Sequence, residues 1–153
     1  MPDARDEKAL PRSESGIERI KPSDYDDIIE LDESLCLNDT NWLEWRVEMI
    51  QIFQVCGVEG YVKGTLLCPD PNVDPEGAEN WSYNDTYTRF IISLNVTRSQ
   101  KKNTLMCNSA HEVWANLEVA NRAQAFETLF AYRRELCHTT AEKEITLSNT
   151  WIS

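Results

Sequence analysis

The sequence lacks the features that mark most nucleic-acid-binding and membrane-spanning proteins. Its 153 residues carry 26 acidic and 15 basic side chains, a formal net charge of −11, and no run of Lys or Arg exceeds two residues. An acidic surface repels phosphate backbones and anionic lipid headgroups. No apolar run approaches the roughly 20 residues that span a bilayer. The composition therefore disfavours direct nucleic-acid binding and membrane association.

Signals for secretion and for cysteine-bound metals are also missing. The N-terminal segment MPDARDEKAL has no apolar core of a signal peptide, so we expect a cytoplasmic location, with the nucleus as the alternative. The five cysteines are an odd number without a close ligand pair, which predicts five free thiols in a reducing compartment. We interpret Cys56 as a small core residue rather than a nucleophile.

Catalytic motifs are absent as well. The sequence contains no H-E-x-x-H, G-x-S-x-G, Walker A or G-x-G-x-x-G pattern. Its two histidines are His111, inside a helix-capping pattern, and His138, just after an apolar helical stretch, so we expect surface or capping roles for both. We predict a protein without enzymatic activity, cofactor, metal site or small-molecule substrate.

Acidic residues concentrate in the N-terminal arm, residues 1–35. This arm has eleven acidic and five basic side chains, and residues 1–22 hold three of the six prolines. Such a composition predicts disorder, so we expect no packed structure up to residue 22. Ile28, Ile29 and Leu31 allow a short strand, a helical turn or a docking segment, but a solvated acidic linker is the favoured interpretation.

The organising segment is a helix from Trp42 to Cys56. Its apolar residues recur at steps of three and four, which places them on one helix face. Asn41 and Glu44 match a capping box, and Gly57 stands where a helix commonly ends. A helix of about 15 residues is marginal alone in water, so other elements must cover this face.

The rest of the chain predicts further helices and no sustained strand pattern. Gly57 to Thr65 is interpreted as a tight hook that tucks Tyr61 under the first helix, followed by an exposed proline-rich loop. Further helices are expected at about 81–95, from Ser109-x-x-Glu112 to about residue 117, and at about 123–137. We predict an all-α bundle of four to five helices over residues 36–140, with residues 141–153 as the truncated start of a further element.

Large apolar residues at helical spacing define the expected core. The tryptophans also suggest a stacking platform for bases, but their spacing with Met, Ile and Leu favours a core role. The predicted core residues are Trp42, Trp45, Met49, Phe53, Tyr61, Trp81, Ile91, Trp114, Leu117, Phe126 and Leu129.

Several segments occur in an order typical of one protein family. The first is NWLEWRVEMIQIFQVCGVEGYVKGT, with an asparagine, a tryptophan, a methionine, a glycine stop and a hook ending in Gly-Thr. The later ones are Trp81 with Asn84-Asp85, Ile91-Ile92, Ala110 with Val113-Trp114 and Leu117, and Tyr132 to Leu136. Over about residues 37 to 141 this series resembles the N-terminal, capsid-like region of the Gag polyprotein of copia-type LTR retrotransposons.

The resemblance implies a helical capsid-like domain that self-associates around packaged RNA. Such polyproteins continue into further capsid helices and usually a zinc knuckle, which this sequence does not contain, so we expect an incomplete fragment. Our leading hypothesis is a non-enzymatic assembly or protein-interaction module. The alternative is an RNA-binding component of a retroelement ribonucleoprotein, with weak contact through a local basic patch formed by Arg98, Lys101, Lys102, Arg133 and Arg134.

Overall fold

The computed structural model describes residues 14–150, which form a helical bundle. Its helices are α1 Trp42–Cys56, α2 Glu59–Lys63, α3 Pro75–Leu94, α4 Arg98–Lys101 and α5 Ala110–Thr150, preceded by 3-10 turns at Pro22–Asp24 and Glu33–Leu35. Helix α5 contacts α1, α2 and α3. Across the described range there is no strand, only a parallel bridge between Leu37 and Val96. The predicted all-α class with four to five helices is confirmed.

Helix α1 has the predicted bounds and buries the predicted face. It ends at Gly57, whose φ of +70° is the left-handed conformation that glycine adopts without a Cβ clash. The predicted capping box is wrong, because Asn41 makes no side-chain cap. Its side chain instead accepts a hydrogen bond from the Asn38 N–H at 2.8 Å and donates one to the Cys36 carbonyl at 3.0 Å. Asn41 therefore fixes the incoming chain.

The predicted hook is the short helix α2. Tyr61 is buried there as expected, with its ring 5.7 Å from that of Trp81. The Tyr61 hydroxyl accepts a hydrogen bond from the Asn84 side chain at 2.9 Å. The helix ends at Gly64 with φ +70°, and a Cβ at that position would lie 2.9 Å from Cγ of His111. Gly64 thus provides both the left-handed turn and the room for close approach of α5.

Helix α3 begins earlier than predicted. We expected the prolines to exclude helix up to about residue 81, but Pro75 occupies the first helical position, where its missing N–H needs no partner. Asp74 caps this end, with Oδ1 accepting a hydrogen bond from the Gly77 N–H at 2.8 Å. The exposed loop therefore ends at residue 74.

Helix α5 replaces three predicted elements. We expected separate helices at about 110–117 and 123–137 and a further element from residue 141, but one helix continues to Thr150. Neither Gly nor Pro occurs between Leu117 and Ala123 to interrupt it. The polar residue Asn121 is accommodated because its side-chain amide donates to the Leu117 carbonyl at 2.8 Å and to Gln100 Oε1 at 3.1 Å. His138 therefore lies within a helix rather than after one.

The start of α5 is capped in nearly the predicted way. The Ser109 hydroxyl accepts a hydrogen bond from the Glu112 N–H at 3.2 Å. The Glu112 carboxylate accepts one from the Asn108 N–H at 2.7 Å, one residue before the donor that a capping box uses. Ser109 and Glu112 thus satisfy two backbone donors at this helix end.

Residues 15–37, which we call the N-terminal strap, follow α3 from its first turn to its last. Asn84 accepts a hydrogen bond from the Ile20 N–H at 2.9 Å and donates one to the Glu18 carbonyl at 2.8 Å. Asn95 accepts one from the Leu31 N–H at 2.7 Å. The prediction of an unpacked arm is therefore wrong for the strap, because buried amides of α3 satisfy its backbone. Residues 1–13 of that arm lie outside the described residues.

The core contains most, but not all, of the predicted residues. Trp81 and Trp114 are half-buried, and the Trp114 ring centroid lies 5.6 Å from those of Trp42 and Trp45. Phe126 and Leu129 were predicted as core but are 55% and 52% exposed. The residues that are buried as predicted are Trp42, Trp45, Met49, Phe53, Tyr61, Ile91 and Leu117.

Candidate interaction surface on helix α5

Helix α5 continues far beyond the bundle. Its last buried residue is Asn121, and every residue from 129 to 150 is exposed. We call residues 129–150 the α5 tail; at 1.5 Å per residue it is about 33 Å long. Near its start, the Tyr132 hydroxyl donates a 2.8 Å hydrogen bond to Glu44 of α1, which raises the pKa of the phenol.

Four exposed apolar side chains of this part of α5 lie on a different face from the one that packs on the bundle: Phe126, Leu129, Leu136 and Leu147. At about 100° per residue, Phe126 lies about 180° around the helix from Leu117, which is fully buried. The positions that continue the bundle-facing side are polar, for example Glu135 and Thr139. We call the exposed face the outer stripe. Its members, at steps of three and four, are Phe126, Leu129, Arg133, Leu136, Thr140 and, seven residues further, Leu147.

The outer stripe begins in a groove between α1 and α5. The groove has a volume of about 300 Å³ and is open to solvent. Its apolar side chains come from both helices, and two arginines and one glutamate flank them. We call it the α1–α5 groove; the residues that define it are Trp42, Leu43, Arg46, Glu118, Arg122 and Phe126.

Little within the α5 tail stabilises it as a free helix. Both i,i+4 ion pairs found within residues 14–150 lie elsewhere, on α2 and α3. Several tail hydroxyls donate to the carbonyl four residues earlier, an arrangement that slightly destabilises and often bends helices; examples are Thr140 on Leu136 and Thr146 on Glu142, at 2.9 and 2.8 Å. Leu136 and Leu147 are 68% and 62% exposed. An isolated helix of this kind is marginal in water, so packing against a partner would stabilise it.

The charge of this part of the helix is nearly balanced. Residues 123–150 carry four acidic and three basic side chains, a net charge of −1 in a chain of −11. Two copies that meet along this part of α5 would repel each other much less than two copies that meet elsewhere. The near-neutral segment coincides with the exposed apolar one.

The five basic residues considered for RNA contact are divided between two surfaces. Arg98 and Lys101 of α4 line a groove that also contains Glu30 and Glu33 of the strap, and Lys102 is exposed just after α4. Arg133 and Arg134 lie on the α5 tail. Asn121 is the α5 residue that contacts α4 through Gln100, and Arg133 lies about 18 Å further along the helix. The structure therefore does not bring the five together.

Cys56 and His111 are side chains of types that can act in catalysis, and both make contacts within the fold. Burial raises the pKa of the Cys56 thiol, which keeps it protonated. His111 Nδ1 lies 2.9 Å from the Val62 carbonyl. Nowhere in residues 14–150 do three His, Cys, Asp or Glu side chains form a group that could hold a metal ion. Of the helices in this range, none has the length and apolar character needed to cross a membrane.

Comparison with protein-family models, curated proteins and solved structures found no match to this chain. The Gag resemblance of residues 37 to 141 therefore stays a prediction. The outer stripe, in contrast, is a feature of the fold, and sequence interpretation assigned two of its members, Phe126 and Leu129, wrongly to the core. The sequence feature that could have shown this is the nine-residue interval between Leu117 and Phe126. On one continuous helix, that interval places the two residues on opposite sides.

Proposed function

We propose that this chain is a non-enzymatic, Gag-like assembly module of retroelement origin that acts in the cytoplasm. In this proposal two copies associate through the outer stripe of α5. The exposure of Phe126, Leu129 and Leu136 on a projecting helix carries the proposal. Removing such apolar side chains from water at an interface lowers the free energy, which stabilises the complex. The ordered series of Gag-like segments supports the origin.

A concentration series tests self-association. Size-exclusion chromatography with light scattering should give a mass that rises from monomer towards dimer as the wild-type concentration increases. Leu136→Ser should move this transition to at least about tenfold higher concentration, since burying one leucine side chain contributes about 1.5–3 kcal/mol.

Leu67→Ser is the matched control. Leu67 is 77% exposed in the loop before α3, so its replacement removes the same apolar surface from another part of the molecule. This variant should associate like wild type. A wild-type chain that stays monomeric throughout would contradict the proposal, and so would equal effects of the two substitutions.

The reading frame that follows Ser153 in the genome tests the origin. Coding sequence for a zinc knuckle and a protease in that frame would support derivation from a retroelement Gag. A frame that encodes an unrelated enzyme domain would contradict it.

A further inference from the structure

We propose that the α1–α5 groove receives the α5 tail of a second copy, so that two chains form a two-fold antiparallel dimer. This inference rests on the proposed self-association and names its geometry. The groove offers apolar surface from Trp42, Leu43 and Phe126 at the point where the bundle ends. The tail offers exposed apolar side chains, including Leu136 and Leu147, which are 68% and 62% exposed.

One acidic residue of the tail, Glu144, has basic counterparts in the groove. Arg46 and Arg122 flank the groove against the single carboxylate of Glu118. On the tail, Glu144 shares one shallow surface with Leu136 and with Arg133, which lies at its other end. A tail that places its leucines on the apolar side of the groove therefore brings Glu144 towards these arginines. Residues 123–150 carry a net charge of only −1 in a chain of −11, so two copies that meet along this part of α5 repel each other less than copies that meet through the acidic remainder.

The spacing along α5 allows both grooves to be filled at once. The groove is centred near residue 124, and the midpoint between Leu136 and Leu147 lies near residue 142, about 27 Å further along the helix. When two such helices pair antiparallel, each tail lies beside the other copy's groove, and the interface closes on itself as a two-fold dimer does. A parallel pairing in register would instead place the two Glu144 side chains beside each other and leave both grooves without a tail.

The same arrangement predicts a weak dimer. The two-fold axis falls near Arg133, which lies on the outer stripe, so two like charges approach each other there. The Arg133 side chain is exposed in each copy, so water and salt screen the repulsion between the two charges. We therefore expect reversible association rather than an obligate dimer.

Complementary charge reversal tests the contact. In Arg122→Glu each groove meets a Glu144 of the same sign, and in Glu144→Arg each tail meets an Arg122 of the same sign. Each variant alone should dimerise about tenfold more weakly than wild type in sedimentation velocity. In an equimolar mixture, both sites of the heterodimer regain opposite charges. The dissociation constant should then return to within about threefold of the wild-type value.

Glu127→Arg is the control for general charge effects. It makes the same charge change on the same helix but lies about 140° from the centre of the outer stripe. It should not weaken the dimer. Because Glu144→Arg makes the chain less negative, a non-specific effect would tighten association, which is opposite to the expected result. Far-UV circular dichroism establishes that each variant keeps its helix content.

The outcomes separate the two proposals. A wild-type chain that is monomeric at all concentrations removes self-association and the groove contact together. A wild-type dimer that neither single reversal weakens removes the groove contact alone. A dimer that both reversals weaken but the mixture does not restore also removes it, since the two residues then act independently. Only restoration in the mixture supports a tail of one copy in the groove of the other.

Discussion

Replacing Asn95 should detach the strap from the bundle and destabilise the whole domain. Asn95 is fully buried at the end of α3, and its side chain holds two strap residues: it accepts from the Leu31 N–H at 2.7 Å and donates to the Ile29 carbonyl at 2.6 Å. Asn95→Ala leaves both strap groups unpaired. At about 1–3 kcal/mol for each buried polar group without a partner, the expected loss is about 3 kcal/mol of unfolding free energy.

Urea unfolding and hydrogen exchange measure this effect. Asn95→Ala should lower the urea midpoint and speed exchange of the Leu31 amide more than that of amides in α1. Asn72→Ala is the control, because the Asn72 amide bonds only the exposed Asp70 in a loop, and it should change stability by less than about 0.5 kcal/mol. A loss below about 1 kcal/mol, or unchanged exchange at Leu31, would show that Asn95 does not hold the strap.

Two further comparisons test the fold. Gly57→Ala and Gly64→Ala impose the same left-handed strain of about 1–2 kcal/mol, but only Gly64 has a neighbour, His111, within contact of the added Cβ. Thermal unfolding should therefore show a larger loss for Gly64→Ala, and a His111→Ala background should reduce that excess; equal losses would contradict the close approach. Among the thiols, Cys68 and Cys137 are exposed, whereas burial raises the pKa of Cys56, so a thiol reagent at pH 8 should modify Cys68 and Cys137 before Cys56; simultaneous modification of all three would contradict the packing.

The sequence predicted a helix correctly where the apolar spacing and the residues that begin or end the helix lie within one short segment. The α1 face and its end at Gly57 follow from spacing and from a residue that tolerates positive φ, and both lie within one segment of the sequence. The start of α3 also had a local signal, since Asp74-Pro75 matches a cap followed by proline at the first helical position. That signal was missed because the neighbouring prolines were interpreted together as helix breakers.

The strap could not be predicted from local composition. Its acidic charge favours disorder, and its order depends on side-chain amides 64 to 66 residues away in the sequence, those of Asn84 and Asn95. Neither asparagine is distinguishable by pattern from an exposed helix residue. A buried asparagine that pairs with a distant backbone becomes visible only when both segments are placed in space.

The continuity of α5 connects the fold to the proposed function. The bundle is complete near Asn121, since the positions that continue its packed face become polar, while the leucines beyond it lie about 100° to 120° around the helix from Leu117 and are exposed. A helix that only closed the bundle would not need Leu129, Leu136 and Leu147 at regular spacing beyond it. Because these side chains contribute little to the core of a single chain, their replacement should leave the unfolding of the bundle almost unchanged and should alter association. Folding and assembly would therefore depend on separate residues of the same helix.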